Sequence, residues 1–89
     1  MRLNPGDVVQ HFKRELLPEE EKKTNRYLYK IVGFAKHSET MEDMVVYQAL
    51  YGDFGMFVRP MEMFMEETDH KKYPAVRQQY RFEKLKDKE

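Results

Sequence analysis

The chain has no cysteine, which removes disulfides, thiolate-bound zinc and thiol nucleophiles from consideration. Small secreted domains usually rely on such staples, so the absence points to a reducing compartment, and a cytoplasmic protein is expected. A charge excess of either sign is also missing, because 16 Lys and Arg are balanced by 16 Asp and Glu. Strong non-specific nucleic-acid binding scales with the phosphates a basic surface neutralises, and it is not expected here. No apolar stretch approaches the length that spans a bilayer, and the opening Met1-Arg2-Leu3-Asn4-Pro5-Gly6-Asp7 has no signal-peptide-like apolar run. Repeats and low-complexity linkers are absent as well. The 89 residues are too few to divide between two cores, so residues 1–85 are expected to form one domain and 86–89 a frayed tail.

What remains is an aromatic-rich body. The apolar fraction is 40%, with six Tyr and six Phe, enough for one core under a surface in which 36% of residues are charged. Turn chemistry at Asn4-Pro5-Gly6-Asp7 leads into a first strand at Val8–Phe12. Residues 14–26 read as an elaborated loop. Pro18 followed by acids and then lysines is compatible with a turn or two of helix, but the scarcity of apolar residues favours a solvated excursion. Tyr27–His37 is the clearest strand, with Tyr29, Ile31, Gly33, Ala35 and His37 on the expected core side. Its small residues suggest close approach of a crossing strand. Met44–Tyr51 directs Val45, Tyr47, Ala49 and Tyr51 inward. The Gly52-Asp53-Phe54-Gly55 turn then returns the chain through Met56–Arg59. A helical turn is expected at Met61–Met65, where the alternation of Met61, Met63 and Met65 would equally suit an extended segment, with a short helical segment at Pro74–Tyr80 and a closing strand at Tyr80–Leu85.

These elements predict a mainly β fold: a small, strongly bent antiparallel sheet resembling an SH3-like barrel, with short helical turns. The expected outer sides still carry Val32, Phe34, Val46 and Leu50. Two-sided apolar strands usually have both faces covered, which predicts that 14–26 and 68–85 lie over the outside of the sheet, or that the chain is a homodimer rather than a monomer.

The run His37-Ser38-Glu39-Thr40, then Val45-Val46-Tyr47, Leu50-Tyr51-Gly52-Asp53, Val58-Arg59-Pro60 and Met63-Phe64, resembles the bacterial domain of unknown function 1653 family. The likeness starts near Gly6, includes His11-Phe12-Lys13, and runs through Phe64. Lys72-Tyr73-Pro74 and Tyr80-Arg81-Phe82 resemble a longer subgroup. Phe57 stands where the pattern leads one to expect tryptophan. The resemblance implies a small bacterial cytoplasmic protein with a compact barrel, and supplies no catalytic or binding residues to carry over.

Read from the residues alone, the best candidate surface for a small polar ligand or a protein partner joins His37, Ser38, Glu39 and Thr40 to Tyr47, Tyr51 and Arg59. The competing reading makes Ser38, Thr40 and His37 bond within their own turn. Arg59 suits an anionic ligand, or a carboxylate such as Asp53 or Glu62. Tyr27, Tyr29, Tyr47 and Tyr51 suit an aromatic platform, although tyrosines more often pack in a core with the hydroxyl wet. Ser38 beside His37 is not a nucleophile–base pair, because adjacent strand residues point to opposite faces. His11, His37 and His70 follow no metal-ligand spacing, and neither metal nor cofactor is expected. The leading expectation is a non-catalytic binding or interaction module. Its alternative is a small enzyme, or enzyme accessory, acting on a nucleotide or phosphorylated metabolite.

Overall fold

A computed structural model describes residues 2–85, so the tail expected to fray lies outside the described residues. The opening turn forms as its chemistry dictates. Asp7 accepts the Asn4 N–H at 2.7 Å, and Gly6 takes φ 94°, where a Cβ would be disfavoured. Five strands follow: β1 (Val8–His11), β2 (Leu28–Lys36), β3 (Asp43–Ala49), β4 (Met56–Pro60) and β5 (Phe82–Lys84). The excursion after β1 holds a 3-10 turn (Phe12–Leu16) and one helical turn, α1 (Glu19–Lys22), with its acids at the dipole-favoured end. Pro60 starts the other helical turn, α2 (Met61–Phe64). No helix among the described residues is long and apolar enough to cross a membrane.

The fold is mainly β, as expected. One antiparallel sheet takes the order β4-β3-β2-β1-β5 and stays open, with β4 and β5 as its two edges. It is nevertheless curled. Strands spaced about 4.8 Å apart would hold β5 and β3 about 14 Å from each other in a flat sheet. Instead the Phe82 ring of β5 lies 5.5 Å from Tyr47 of β3 and 5.6 Å from Tyr29 of β2. Inside the curl sit Val9, Ile31, Val45, Tyr47, Phe64 and Phe82, all 5% exposed or less. Each large side chain buried there contributes about 1.5–3 kcal/mol of transfer free energy.

The alternation read for β3 holds, with Val45, Tyr47 and Ala49 buried. For β2 it holds only as far as Ile31. Ile31 pairs with Tyr47 but Gly33 pairs with Val46, so Val32 is an extra residue in a β-bulge. Because side chains alternate with a period of two, this single insertion exchanges the faces of everything beyond it. Phe34, opposite Val45, turns to the inner side and lines a hollow with Leu3, Met61 and Met65, while Gly33 and Ala35 turn outward. Gly33 makes no close approach to a crossing strand: a Cβ built there would meet nothing within 4 Å. Glycine here accompanies the bulge.

The closing strand expected at Tyr80–Leu85 forms as β5, but the rest of the tail departs from expectation: residues 82–84 extend the sheet instead of covering it, and 74–80 are not helical. Their backbone is claimed by distant partners. The Glu15 carboxylate accepts the Arg77 and Gln78 N–H groups at 2.9 and 2.7 Å, and Thr68 N–H donates to the Gln79 carbonyl at 2.8 Å. Gln78, itself buried, bonds the Gln10 side chain and carbonyl, so the tail covers the outer side only beside β1. Over β3 and β4 that side stays open among the described residues, with Met56 and Val58 each 57% exposed.

Candidate functional site

The His37–Thr40 turn satisfies its own polar groups. The His37 Nδ1 accepts the backbone N–H groups of Glu39 and Thr40 at 3.1 and 3.3 Å, and the Thr40 hydroxyl accepts the Glu42 N–H at 3.2 Å. Ser38, Glu39 and Thr40 are exposed. Tyr29 and Tyr47 are buried in the core, and Tyr51 is tied to it by a 2.8 Å hydroxyl–hydroxyl bond with Tyr29. Burial, helped by that bond, raises the Tyr29 pKa, so it stays a neutral phenol.

Arg59 is different. Its register partner is Val45, so β4 directs the guanidinium toward the inside of the curl. There its Nε donates to the Tyr47 hydroxyl at 3.2 Å, and the guanidinium lies 5.8 Å from the Phe82 ring centroid. Neither Asp53 nor Glu62 pairs with it, and among the described residues no carboxylate lies within 4 Å of it. Pairings Lys36–Asp43 and Met44–Pro60 put the His37 turn and Arg59 at the same end of the sheet.

Arg59 lines a half-open cleft of about 520 Å³ where the β4 and β5 sides of the curl approach. One wall is the end of β1, with His11, Phe12 and Lys13. Glu66 to Asp69, Lys72, Tyr73 and Arg81 complete the lining. Two polar atoms of lining residues, the Thr68 hydroxyl and the Arg81 Nε, are buried out of reach of the cleft and have no partner among the described residues. Such orphans are rare in folded proteins and call for an explanation. The other side of the Arg81 guanidinium is held by Glu66 at 2.6 Å.

His11 is neutral in this setting. Burial, with the charges of Arg81, Lys13 and Arg59, lowers its pKa from 6.5 to about 4. Its ring sits edge-on to Phe82 at 5.0 Å and tilted on Phe12 at 4.5 Å. Nδ1 accepts the Lys13 N–H at 3.1 Å, so the single ring proton resides on Nε2 as a donor. The cleft lining therefore sets Lys13, Arg59, Lys72, Arg81 and the His11 imidazole against the carboxylates of Glu66, Glu67 and Asp69, a balance that leaves a basic excess of one charge and suits a negatively charged oxygen group.

Of the residues that line this cleft, the sequence analysis singled out Arg59 for a ligand surface, with Tyr47 behind it, and did not put His11, Thr68 or Arg81 there. One signal was available: extending the Tyr47–Phe57 pairing by two residues puts a charged side chain on the inner face at 59. Nothing local marks Thr68, which acquires its role from chain segments far away in sequence. No group of three or more His, Cys, Asp or Glu among the described residues is placed to hold a metal ion. No curated protein and no solved structure matches the chain. The model of the family described as Protein of unknown function (DUF1653) matches residues 7–84, from the end of the first turn through β5. The chain belongs to that family.

Proposed function

We propose that this domain is a non-catalytic binding module whose cleft takes the anionic group of a small ligand. The observation that carries the reading is Arg59, which lines one cleft with Lys13, Lys72, Arg81 and a neutral His11 and has no carboxylate within 4 Å among the described residues. An arginine held in place by a phenol and an aromatic face is positioned before a ligand arrives, which reduces the ordering cost of binding. Of the surface expected from the sequence, this reading retains Arg59 as a direct contact and Tyr47 as its support. The turn formed by His37, Ser38, Glu39 and Thr40 stands at the same end of the sheet, where its exposed side chains flank an approaching partner. Tyr51 contributes through Tyr29, which packs on Tyr47 at 5.4 Å. Nitrogen-15 spectra recorded with small carboxylate and phosphate anions at fixed ionic strength test the site. The amides of Lys13, Thr68 and Arg81 should shift together and saturate, and Arg59→Gln should abolish the response. Shifts confined to residues 37–42, or none at all, would refute the cleft as the site.

A further inference from the structure

We propose that the open β4 edge docks a second copy of this chain, closing a dimer by antiparallel pairing of β4 with its twin. The inference is independent of the cleft. It starts from an uneven surface. Among the described residues ten large apolar side chains are exposed, and Phe54, Met56, Phe57 and Val58 are four of them within five positions. No residue from Phe54 to Val58 is charged, and the β3–β4 register runs without a bulge. Edge strands that stay unpaired are usually blunted by charge, a bulge or shortness. The other edge of this sheet is blunted: β5 has three residues, two of them Glu83 and Lys84.

The backbone decides what kind of partner fits. Ala49 N–H donates to the Gly55 carbonyl at 2.9 Å, one step beyond the pairing of Gln48 with Met56. Hydrogen-bonded and non-hydrogen-bonded pairs alternate along an antiparallel ladder, so Gly55, Phe57 and Arg59 turn their polar groups to β3. Met56 and Val58 turn theirs away from the sheet, where a further strand meets N–H and C=O together. A two-fold axis at Phe57 sets Met56 opposite Val58 of the second copy, and Val58 opposite its Met56. Every outward N–H and C=O of the two residues then finds a partner. An axis at Val58 would instead set Met56 against Pro60, which has no N–H to give.

The side chains agree with the axis at Phe57. Met56 and Val58 lie on the outer flank, and Phe57 meets its own twin across the closer, non-hydrogen-bonded pair. All of these contacts are apolar and none sets like charges together, so the surface is complementary to itself. Its area sets the strength. Phe54, Met56, Phe57 and Val58, each about half exposed, present roughly 300 Å² of apolar surface per copy. A specific interface at the small end, about 1,200 Å² in total and somewhat over half apolar, takes about that much from each partner. The dimer is therefore a reversible one that exchanges with monomer. Pairing occupies the β4 edge of both copies, and the blunted β5 edges do not propagate it.

Light scattering and sedimentation of the intact chain across about two decades of concentration test the proposal. The average mass should climb from monomer toward dimer and stop there. Amide hydrogen exchange over the same series should slow at Met56 and Val58, while Phe57 and Arg59, already bonded to β3, change little. Val58→Lys adds a charge on each side of the axis at a position 57% exposed. It should weaken association about tenfold or more, and leave the melting temperature of the dilute monomer within a few degrees of the parent. A monomer at every concentration would overturn the proposal, as would growth beyond the dimer. A dimer that gives Met56 and Val58 no slowing of exchange, or that Val58→Lys leaves at parent strength, would overturn β4 as its surface.

Discussion

The rings of Phe64 and Phe82 lie face to face, 4.1 Å between centroids and 2° from parallel. They join α2 to β5, and both are 1% exposed or less. Tyr47 meets both edge-on, at 5.2 and 5.5 Å, so the pair is the hub on which the open sheet curls. Phe82→Ala should cost about 3–5 kcal/mol, a large part of the about 5–15 kcal/mol that holds a domain folded. Urea denaturation of Phe64→Ala, Phe82→Ala and the double variant would measure it. Because the rings touch, the double variant should lose less than the sum of the two. Strict additivity would show that the stacking contributes nothing beyond burial.

Truncation after Glu67 follows from the same pair. It removes β5 and Phe82 and leaves the β1 edge unpaired, so the shortened chain should lose its cooperative thermal transition. A tail that merely covered a complete sheet would leave a folded, destabilised protein. Circular dichroism with thermal melting separates the two outcomes.

Glu15 holds the tail from the other side. Its two oxygens accept the N–H groups of Arg77 and Gln78, a carboxylate bonded to backbone more than sixty residues away. Charge-assisted bonds of this kind contribute about 1.5–3 kcal/mol each when both partners are well placed. Glu15→Ala should therefore release the 76–79 segment locally. Amide hydrogen exchange should accelerate about tenfold or more at Gln78, while Ile31 in β2 changes little. Uniform acceleration across the sheet would mean the clamp stabilises the whole fold.

The strands were legible because each is short, alternating and bounded by turn residues, and α2 because Pro60 precedes an apolar turn. The second half of β2 was misread for a definite reason: a bulge is an event between two strands, and Val32 looks like any β-branched strand residue. Gly33 beside it was the one local hint, and it supports a bulge as readily as a crossing strand. Residues 74–80 were misread because their backbone bonds Glu15 and Thr68, partners that no local pattern reveals, while the nearby Glu83 carboxylate accepts the Gln79 and Tyr80 N–H groups from outside any helix. For the candidate site the same division holds. Arg59 could be found from its place in a strand, whereas His11, Thr68 and Arg81 became neighbours only once the sheet curled.

His11 makes stability depend on pH in a known direction. The unfolded chain protonates it near 6.5, the folded chain only near 4. Between those values the unfolded state holds the extra proton, so stability falls as pH drops through this window and is fully restored above it. Denaturation curves at pH values from about 7.5 to 4.5 should show that decline, and His11→Gln should flatten it. The carboxylates titrate mostly below this range, which leaves the upper half of the window to histidine. An unchanged slope in the variant would mean His11 ionises as freely as in the unfolded chain.

Met41 closes the turn after β2 with φ 64°, a left-handed conformation unusual for a side chain of its size, and it is 62% exposed. Its own N–H still donates to the His37 carbonyl at 2.9 Å, so the backbone is held in this shape by bonding within the turn. Left-handed geometry costs about 1–2 kcal/mol for a residue with a Cβ. Glycine removes that cost and adds about 0.4–1 kcal/mol of unfolded-state entropy. Met41→Gly should gain the difference, about 0.5–1 kcal/mol, seen as a melting temperature higher by a few degrees. Met41→Val, branched at Cβ, should move the other way. Because the turn meets its own hydrogen-bonding needs, the affinity of the cleft for phosphate should stay at the parent value in both variants. A loss of affinity without a loss of stability would mean that the His37–Thr40 turn touches the ligand directly.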